Sequence, residues 1–276
     1  MAETSGVNGR GGFYEGNGAL RDVMQNHVLT MLALVAMEQP RSFSSDGVRD
    51  ARAKAMHALN CIDEKEVHQA VVRGQYGAGV IGGQEAVGYR QENDVAKSSQ
   101  TETFVAMKLT VDTPRWRGIP WYLRTGKRLA RDAVEISIVF RQTCHILFKE
   151  IGCPEEGNIL TLRISPNEGI GIRLIAKQPG HTIQLKTVDM DFSYKESFEQ
   201  SEVIEPYEKI LEDAFHGDQM LFNRSDELEA SWQFITKILK GWERGPKPKF
   251  PNYAAGSWGP DAAIELIEKD GRKWIL

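Results

Sequence analysis

Apolar residues follow a helical period near both ends of the chain and a two-residue period in its middle. Within the stretch Ala19–Glu38, apolar residues recur near helical spacing at Leu20, Val23 and Met31. Pro40 lies just beyond this stretch. This pattern predicts a helix over Ala19–Glu38, because proline cannot continue one. Further helices are predicted at the other end of the chain, over Ile204–Phe215 and Asp226–Trp242, the second with Ser225 as its N-cap.

Shorter apolar runs occupy the middle of the chain, where Pro, Gly and Asn separate them. Several runs alternate apolar and polar residues, which is typical of strands with one face in water. The predicted strands are TFVAMKLTV, IPWYLRT, AVEISIVF, NILTLRI and GIGIRLIAK. A run of strands with helices grouped outside it indicates an α+β fold. Ahead of the strands, Asp46 is the predicted cap of another helix, and the glycine-rich residues Gly74–Ser99 are predicted to form a long ordered loop.

Composition limits the class of protein. With 276 residues, of which 41% are hydrophobic, the chain can bury a sizeable core. A formal net charge of -4 argues against nucleic acid or an anionic membrane surface as the main partner. The longest apolar run, Leu29–Met37, is too short to span a bilayer, and the first residues lack the pattern of a signal peptide. We therefore expect a cytoplasmic protein with no membrane partner.

Cysteine and histidine positions do not indicate a metal site. The three cysteines are odd in number and lack paired spacing, which fits a reducing compartment and argues against zinc or a disulfide framework. They are Cys61, Cys144 and Cys153. Five histidines form no HxxxH or HExxH pair, so we expect them at the surface or in packing. They are His57, His68, His145, His181 and His216.

The stretch RGGFYEGNGALRDVMQNH, residues 10–27, brings a basic group, a carboxylate and an imidazole to the start of a predicted helix. His27 has apolar residues four positions away on either side, which is the pattern of a core or capping histidine. A neutral imidazole can also remove a hydroxyl proton, since histidine titrates near neutrality. Asp22 is open to two interpretations as well, a helix-start carboxylate or a polar group that shares a helical face with Asn26.

A second cluster is WYLRTGKRLARD, residues 121–132, in which a predicted strand ends in three cations around a glycine. The glycine allows a sharp turn from which Lys127 projects, and such a turn suits an anionic or polyhydroxylated ligand. The alternative is a solvated basic turn. Glu3 and Arg10 are ordinarily explained by a surface salt bridge or by solvation. The glycines of Gly79–Gly83 follow no clear strand and open no helix, so no dinucleotide site is predicted in this chain.

Four separated blocks carry a resemblance to a known family. They are AETSGVNGRGGFYEGNGALRDVMQNH, QTETFVAMKLTVDTPRWRGIPWYLRTGKRL, GDQMLFNRSDELEASW and YAAGSWGP. In this order they resemble the C-terminal region of the glucose-6-phosphate dehydrogenase family, and the first contains the family's catalytic-base sequence. The resemblance implies one substrate-binding and dimerisation domain over residues 1–276, with a large, mostly antiparallel sheet, helices packed on one face and homodimerisation through the sheet.

By this resemblance, His27 corresponds to the general base that takes the proton from the C1 hydroxyl of glucose 6-phosphate. Glu3 and Asp22 correspond to residues that hold sugar hydroxyls, and Lys127 to a lysine that contacts the substrate. The implied reaction is oxidation of glucose 6-phosphate to 6-phosphogluconolactone in the pentose phosphate pathway, with hydride passed to NADP or NAD.

Parts of the family pattern do not occur in this chain. An N-terminal Rossmann domain and a RIDHYLGKE-type segment that grips the sugar phosphate precede, in the family's order, the first block seen here. The resemblance therefore implies a shortened reading frame, an isolated domain or a split gene, inactive alone and completed by a Rossmann domain that would bind most of the NADP. Five positions after Lys127, Asp132 stands where the family often has a basic substrate contact, with Arg131 beside it.

Some family members bind a second, structural NADP in the sheet, and we expect no such site here. Two of the positions that bind it in those members are basic in this chain, namely Arg124 and Arg163. Four others are not basic, namely Ala133, Ser137, Gly169 and Gly171.

Two functions are compatible with the sequence. The first is the substrate and catalytic-base half of the dehydrogenase, whose exposed surface, including part of the Ala19–Glu38 helix, self-associates or binds a complementary fragment. The second is a noncatalytic dimerisation or regulatory module that pairs with a full-length enzyme. Retention of His27, Asp22 and Lys127 favours the first.

Overall fold

The computed structural model describes residues 1–60, 62–142, 152, 154, 157–198 and 206–275. Its helices and antiparallel strands confirm the predicted α+β fold. The residues divide into two compact units. Unit 1 comprises Met1–Arg131 and Ile204–Trp274, and unit 2 comprises Asp132–Val203. Both units lie inside the single domain predicted over residues 1–276, which stays a prediction.

The elements follow one another in this chain order. The helices are α1 (Gly11–Ala19), a π-helical stretch called here the π segment (Leu20–Val28), α2 (Leu29–Ala36), α3 (Ser45–His57), α4 (Val67–Ala70), α5 (Tyr194–Ser197), α6 (Pro206–His216), α7 (Ser225–Arg244) and α8 (Asp261–Glu268). The strands are β1 (Val71–Gly74), β2 (Tyr76–Gly77), β3 (Gly79–Ile81), β4 (Gln84–Ala86), β5 (Phe104–Thr110), β6 (Pro120–Gly126), β7 (Val134–Val139), β8 (Ile159–Ser165), β9 (Gly169–Lys177), β10 (Leu185–Ser193) and β11 (Tyr253–Ala254).

Unit 1 is built around a three-stranded antiparallel sheet in the order β1-β5-β6. The central strand β5 buries residues on both faces, because successive side chains of a strand point to opposite sides. Val105 and Met107 join the main apolar core with the π segment, α2 and α7. On the other face, the ring of Phe104 lies 5.7 Å from that of Tyr253. The sheet therefore has protein packed on both sides.

Helix α7 supplies one wall of this core. Ala230, Phe234, Ile238 and Trp242 recur at four-residue spacing and are buried, so they form one apolar stripe along the helix. Asp226 and Glu227 lie in the first turn, where a negative charge favours the helix dipole.

Unit 2 contains a four-stranded antiparallel sheet in the order β10-β9-β8-β7. Its two faces differ in chemistry. Paired positions on one face are apolar, namely Ile136, Ile138, Leu160, Leu162, Ile170, Ile172, Leu174, Val188 and Met190. The other face carries ion pairs between Arg163 and Asp191 and between Arg173 and Asp189. The sheet is thus amphipathic across its thickness.

Several elements differ from the prediction. A further helix, α1, precedes the predicted helix Ala19–Glu38, and the positive φ of 69° at Gly18 interrupts it. The predicted helix Ala19–Glu38 divides into the π segment and α2, and it ends at Ala36. Strands β1 and β10 were not predicted, and the predicted loop Gly74–Ser99 contains β2, β3 and β4.

Both predicted N-caps were wrong by one or two residues. Ser44, not Asp46, caps α3: its hydroxyl oxygen accepts a hydrogen bond from the Gly47 N–H at 3.2 Å. Ser225 is the first residue inside α7, and Arg224 precedes it. A short polar side chain near a helix start predicts the helix, but neighbouring serines and aspartates compete for the cap position.

Candidate functional site

Glu3 and Lys127 form an ion pair at the end of strand β6. The Glu3 N–H donates to the carbonyl of Gly126 at 3.1 Å, and the Leu129 N–H donates to the carbonyl of Glu3 at 2.9 Å. These two backbone bonds hold the N-terminal segment beside the strand end. The Glu3 Oε2 atom consequently lies 2.6 Å from the Lys127 Nζ atom. Both side chains are largely buried, so the pair is more strongly held than one in open water.

Tyr14 lies next to this pair. Its ring centroid is 5.5 Å from the Lys127 Nζ atom, within the range of a cation–π contact. The Tyr14 hydroxyl is buried and has no hydrogen-bond partner among the described residues. Burial raises the pKa of Tyr14 well above its ordinary value, and the nearby Glu102 carboxylate adds to the shift. The charges of Asp22 and Glu3 raise the same pKa further.

Asp22 and His27 are available for a ligand. Asp22 is half-buried and His27 is exposed, and neither side chain makes a hydrogen bond or ion pair within the described part of the chain. Exposure rules out a core histidine, one of the two interpretations of His27 that the sequence allowed. Both residues lie on the π segment, where the Leu29 N–H donates to the carbonyl of Met24, five residues back.

The π geometry changes which side chains share a face. Residues five apart, such as Asp22 and His27, point about 140° apart around an α-helix but only about 50° apart around a π-helix, which has more residues per turn. The π segment therefore turns the Asp22 carboxylate and the His27 imidazole to the same side. The sequence prediction assumed α-helical spacing, in which Asp22 shares a face with Asn26 instead.

The other cations of the two sequence clusters have different partners. The Arg10 guanidinium lies over the Phe13 ring, 5.0 Å from its centroid. Arg128 has a positive φ of 54° and pairs with Glu92, so the bend after β6 is at Arg128. The Arg131 guanidinium lies 5.9 Å from the Trp258 ring centroid.

The basic residues considered for a structural NADP contact protein groups. Arg124 lies over the rings of Trp258 and Trp274, at 5.0 and 4.5 Å from their centroids. In unit 2, Arg163 is bound to the Asp191 carboxylate.

Tyr14, Glu102 and Thr103 were not predicted as site residues from the sequence. Glu102 is a buried carboxylate that accepts a hydrogen bond from the Leu20 N–H, and Thr103 accepts one from the Lys127 N–H. A charged residue directly before the apolar run TFVAMKLTV was the available signal, because a strand of that kind rarely buries an unpaired carboxylate.

Three other sequence expectations concern metals, nucleotides and membranes. No group of three or more potential metal ligands occurs among the described residues, and Cys61, Cys144, Cys153 and His145 lie outside them. The glycines of Gly79–Gly83 form the hairpin of β3 and β4, which opens no helix. Within the described ranges, every helix is too short or too polar to cross a membrane.

This geometry defines the class of site. A titratable imidazole and an unpaired carboxylate share one helix face, and a carboxylate–lysine pair lies at a strand end nearby in the same unit. Carboxylates accept hydrogen bonds from hydroxyl groups, a lysine attracts an anion, and an imidazole exchanges a proton. The arrangement suits a hydroxylated, anionic small molecule.

Comparison with known proteins agrees with that chemistry. The family described as glucose-6-phosphate dehydrogenase, C-terminal domain, matches residues 1–275. Glucose-6-phosphate 1-dehydrogenase of Chlamydia pneumoniae is 43% identical over 277 aligned residues, covering 99% of this chain and 53% of that protein. Its counterpart in Dickeya dadantii is 39% identical, with 99% and 56% covered. The chain spans about half the length of the curated relatives it matches.

Solved structures give the same result. A glucose-6-phosphate dehydrogenase in complex with its substrate glucose-6-phosphate matches with a TM-score of 0.85 and 35% identity, over 100% of this chain and 55% of that one. A glucose-6-phosphate 1-dehydrogenase from Mycobacterium avium matches with a TM-score of 0.83 and 36% identity, over 100% and 54%. The chain therefore belongs to the glucose-6-phosphate dehydrogenase C-terminal domain family.

Proposed function

We propose that this chain is the substrate-binding and catalytic-base part of a glucose-6-phosphate dehydrogenase. The whole enzyme would oxidise glucose 6-phosphate to 6-phosphogluconolactone in the pentose phosphate pathway. One observation carries the proposal: Glu3 and Lys127, to both of which the resemblance assigns substrate contacts, meet at 2.6 Å beside Tyr14. Asp22, the third such residue, lies with His27 on the π segment of the same unit.

His27 is the proposed general base. An unprotonated His27 imidazole would take the proton of the sugar C1 hydroxyl, and the electron pair of that O–H bond would form the C=O bond of the lactone as hydride leaves C1. The ring is exposed on the π segment and has no partner among the described residues, which supports this role because a substrate can reach it.

Glu3, Asp22 and Lys127 would orient the sugar. Carboxylates accept hydrogen bonds from sugar hydroxyls, and each such bond lost would cost about 1–3 kcal/mol if it left a buried group unpaired. Fixing the ring relative to His27 removes much of the entropic barrier to reaction.

NADP is the proposed hydride acceptor, and its chemistry at the site is hydride uptake alone. The turn at Gly82 and Gly83 joins two antiparallel strands, β3 and β4, whereas a dinucleotide fingerprint joins a strand to an α-helix. A Rossmann domain outside this chain would therefore hold the NADP, and the isolated chain would not turn over.

We further propose homodimerisation through the sheet of unit 2. Val188 and Met190 on its apolar face are exposed, and covering such a face stabilises an assembly. A cytoplasmic location is part of the same proposal.

The test is reconstitution. The chain is fused to the N-terminal half of one of its relatives, and NADPH formation from glucose 6-phosphate is followed by absorbance. We expect turnover from the fusion, none from the isolated chain, and a loss of at least about 100-fold in kcat for His27→Ala, the usual range for removing a general base.

His57→Ala is the matched control, since His57 is also exposed and lies at the end of a helix in unit 1. It should leave kcat unchanged. An active fusion that is insensitive to His27→Ala would refute the assignment of the base, and robust turnover by the purified chain alone would refute the need for a second domain.

A further inference from the structure

Glu102 holds the start of the π segment. Its Oε1 atom accepts a hydrogen bond from the Leu20 N–H at 3.0 Å, and its backbone carbonyl accepts one from the Ala19 N–H at 2.9 Å. The first amides of a helix have no partner inside the helix, so one residue here satisfies two of them. The bond to the carboxylate is charge-assisted and buried, which makes it one of the stronger kinds.

Gly18 makes room for this contact. A Cβ atom at position 18 would lie 2.3 Å from the Glu102 Oε1 atom, closer than any real contact of that kind. Gly18 also has a φ of 69°, which ends α1 and lets the π segment begin anew against the carboxylate. The helix break at Gly18 and the position of the Glu102 carboxylate therefore depend on each other.

Thr103, the next residue, holds Lys127. The Thr103 carbonyl accepts a hydrogen bond from the Lys127 N–H at 3.0 Å. Its hydroxyl is fixed in turn by the Tyr76 N–H at 3.0 Å and by the Tyr253 hydroxyl at 2.9 Å. Two consecutive residues, about 3.8 Å apart at Cα, thus hold the helix that carries Asp22 and the turn that carries Lys127.

A second contact fixes the middle of the π segment. The buried Gln25 donates from Nε2 to the Ser231 hydroxyl on α7 at 2.8 Å. With its start tied to Glu102 and its middle tied to α7, the segment keeps a wider turn than an α-helix, in which the Leu29 N–H reaches Met24. Return to an α-helical turn would widen the angle between the His27 and Asp22 side chains from about 50° to about 140°, a rotation of about 90°.

We propose that Glu102 is a positioning residue, whose carboxylate fixes the start of the π segment and thereby keeps Asp22 and His27 on one face and in register with Lys127. It acts through these residues and need not touch the substrate. The kinetic part of this inference rests on the proposed function, whereas the structural part does not.

The structural test identifies the carbonyl group that accepts the hydrogen bond of the Leu29 N–H. NMR of the deuterated chain detects the scalar coupling across that bond, between the amide nitrogen and the carbonyl carbon. The accepting carbonyl belongs to Met24 in a π turn and to Gln25 in an α turn. We expect Met24 in the wild type and in Glu102→Gln, whose amide oxygen still accepts from Leu20. In Glu102→Leu the Met24 coupling should disappear or be replaced by one to Gln25, and an unchanged Met24 coupling would overturn the proposal.

The matched control is Glu227→Gln. Glu227 is a buried carboxylate of unit 1 that pairs with Arg52 of α3. This variant should unfold at a lower temperature and keep the Met24 coupling. If Glu102→Leu fails to fold, Gly18→Ala serves as the second variant, because it displaces the carboxylate while leaving it in the chain.

The kinetic test uses the fusion protein. Glu102→Leu should lower kcat/KM for glucose 6-phosphate by about 100-fold at a temperature where it is fully folded, since small misplacements of reacting groups have effects of that size. Glu102→Gln should restore kcat/KM to within about tenfold, and Glu227→Gln should match the wild type. Equal kcat/KM in Glu102→Leu and Glu227→Gln would show that Glu102 has a structural role only, which contradicts the proposal.

The two proposals can be told apart. An inactive wild-type fusion would contradict the proposed function, and the coupling to Met24 would still decide the role of Glu102.

Discussion

Glu3 and Lys127 are 124 positions apart in the sequence, and their side chains meet at 2.6 Å. The contact exists because the first residues of the chain pair with the last residue of β6, as the parallel bridge between Ala2 and Gly126 shows. A site assembled in this way depends on the N-terminal segment staying in place, and the ion pair contributes to holding it there.

Lys127→Met should weaken substrate binding in the fusion protein. The substitution keeps the length of the side chain and removes its charge, so KM for glucose 6-phosphate should rise by about 10- to 100-fold, as expected for losing a hydrogen bond to a charged group. Steady-state kinetics measure this. Lys108→Met is the control, because Lys108 forms a comparable pair with Asp270 at 2.7 Å. Equal effects of the two substitutions would argue against a substrate contact at Lys127.

Gly18→Ala should destabilise unit 1 by at least about 1–2 kcal/mol, the cost of a positive φ for a residue with a side chain. The overlap of the new Cβ with Glu102 adds to it. Gly16→Ala is the matched control: it lies on the same helix with open space around it, so alanine should be neutral or slightly stabilising. Urea unfolding of both variants gives the comparison, and a neutral Gly18→Ala would be inconsistent with the close contact.

The stability of the chain should depend on pH through Glu102. Burial raises the pKa of Glu102 above its ordinary value of 4.5, and the hydrogen bond from Leu20 offsets part of the shift. The folded state then binds a proton more readily than the unfolded state. Relative to Glu102→Gln, the wild type should therefore lose stability as the pH rises from 4.5 through the raised pKa. Denaturant titrations of both proteins across this window measure the difference, and a wild type that gains stability relative to Glu102→Gln as the pH rises would contradict the prediction.

Glu227→Ala should cost about 3–5 kcal/mol, because it leaves the buried Arg52 guanidinium without its charge partner. Two hydrogen bonds join Arg52 on α3 to Glu227 on α7. The exposed pair of Arg115 and Glu38 provides the contrast, since Glu38→Ala should cost less than about 1 kcal/mol. Unfolding free energies of the two alanine variants should differ severalfold, and similar values would show that water reaches Arg52.

The fold class and five strands, β5 to β9, were predictable because their signals are local. The apolar run in TFVAMKLTV and the alternation in GIGIRLIAK can be seen without knowledge of the neighbouring strands, and both segments are strands. β10 was missed because LKTVDMDFS places charged residues on the face that carries its ion pairs, which lowers its apparent strand character.

The candidate site was predictable only in part. The residue types at Asp22, His27 and Lys127 indicated chemistry, and the resemblance named their roles. The π turn was not predictable from apolar spacing, because its cause lies in Glu102, which is 82 positions from its partner Leu20. Sequence periodicity records which face is buried, and it does not record a tertiary contact that widens one turn.

The order of the two units along the chain sets the order in which the protein can fold. The sheet of unit 1 is complete at Gly126, yet α7, which packs Phe234 and Ile238 into the same core, follows only after unit 2. During synthesis the continuous unit 2 can fold as it emerges, while Val105 and Met107 still lack their α7 neighbours. A ribosome-bound chain that stops before Ser225 would therefore present an unfinished apolar surface, the kind of intermediate that chaperones bind.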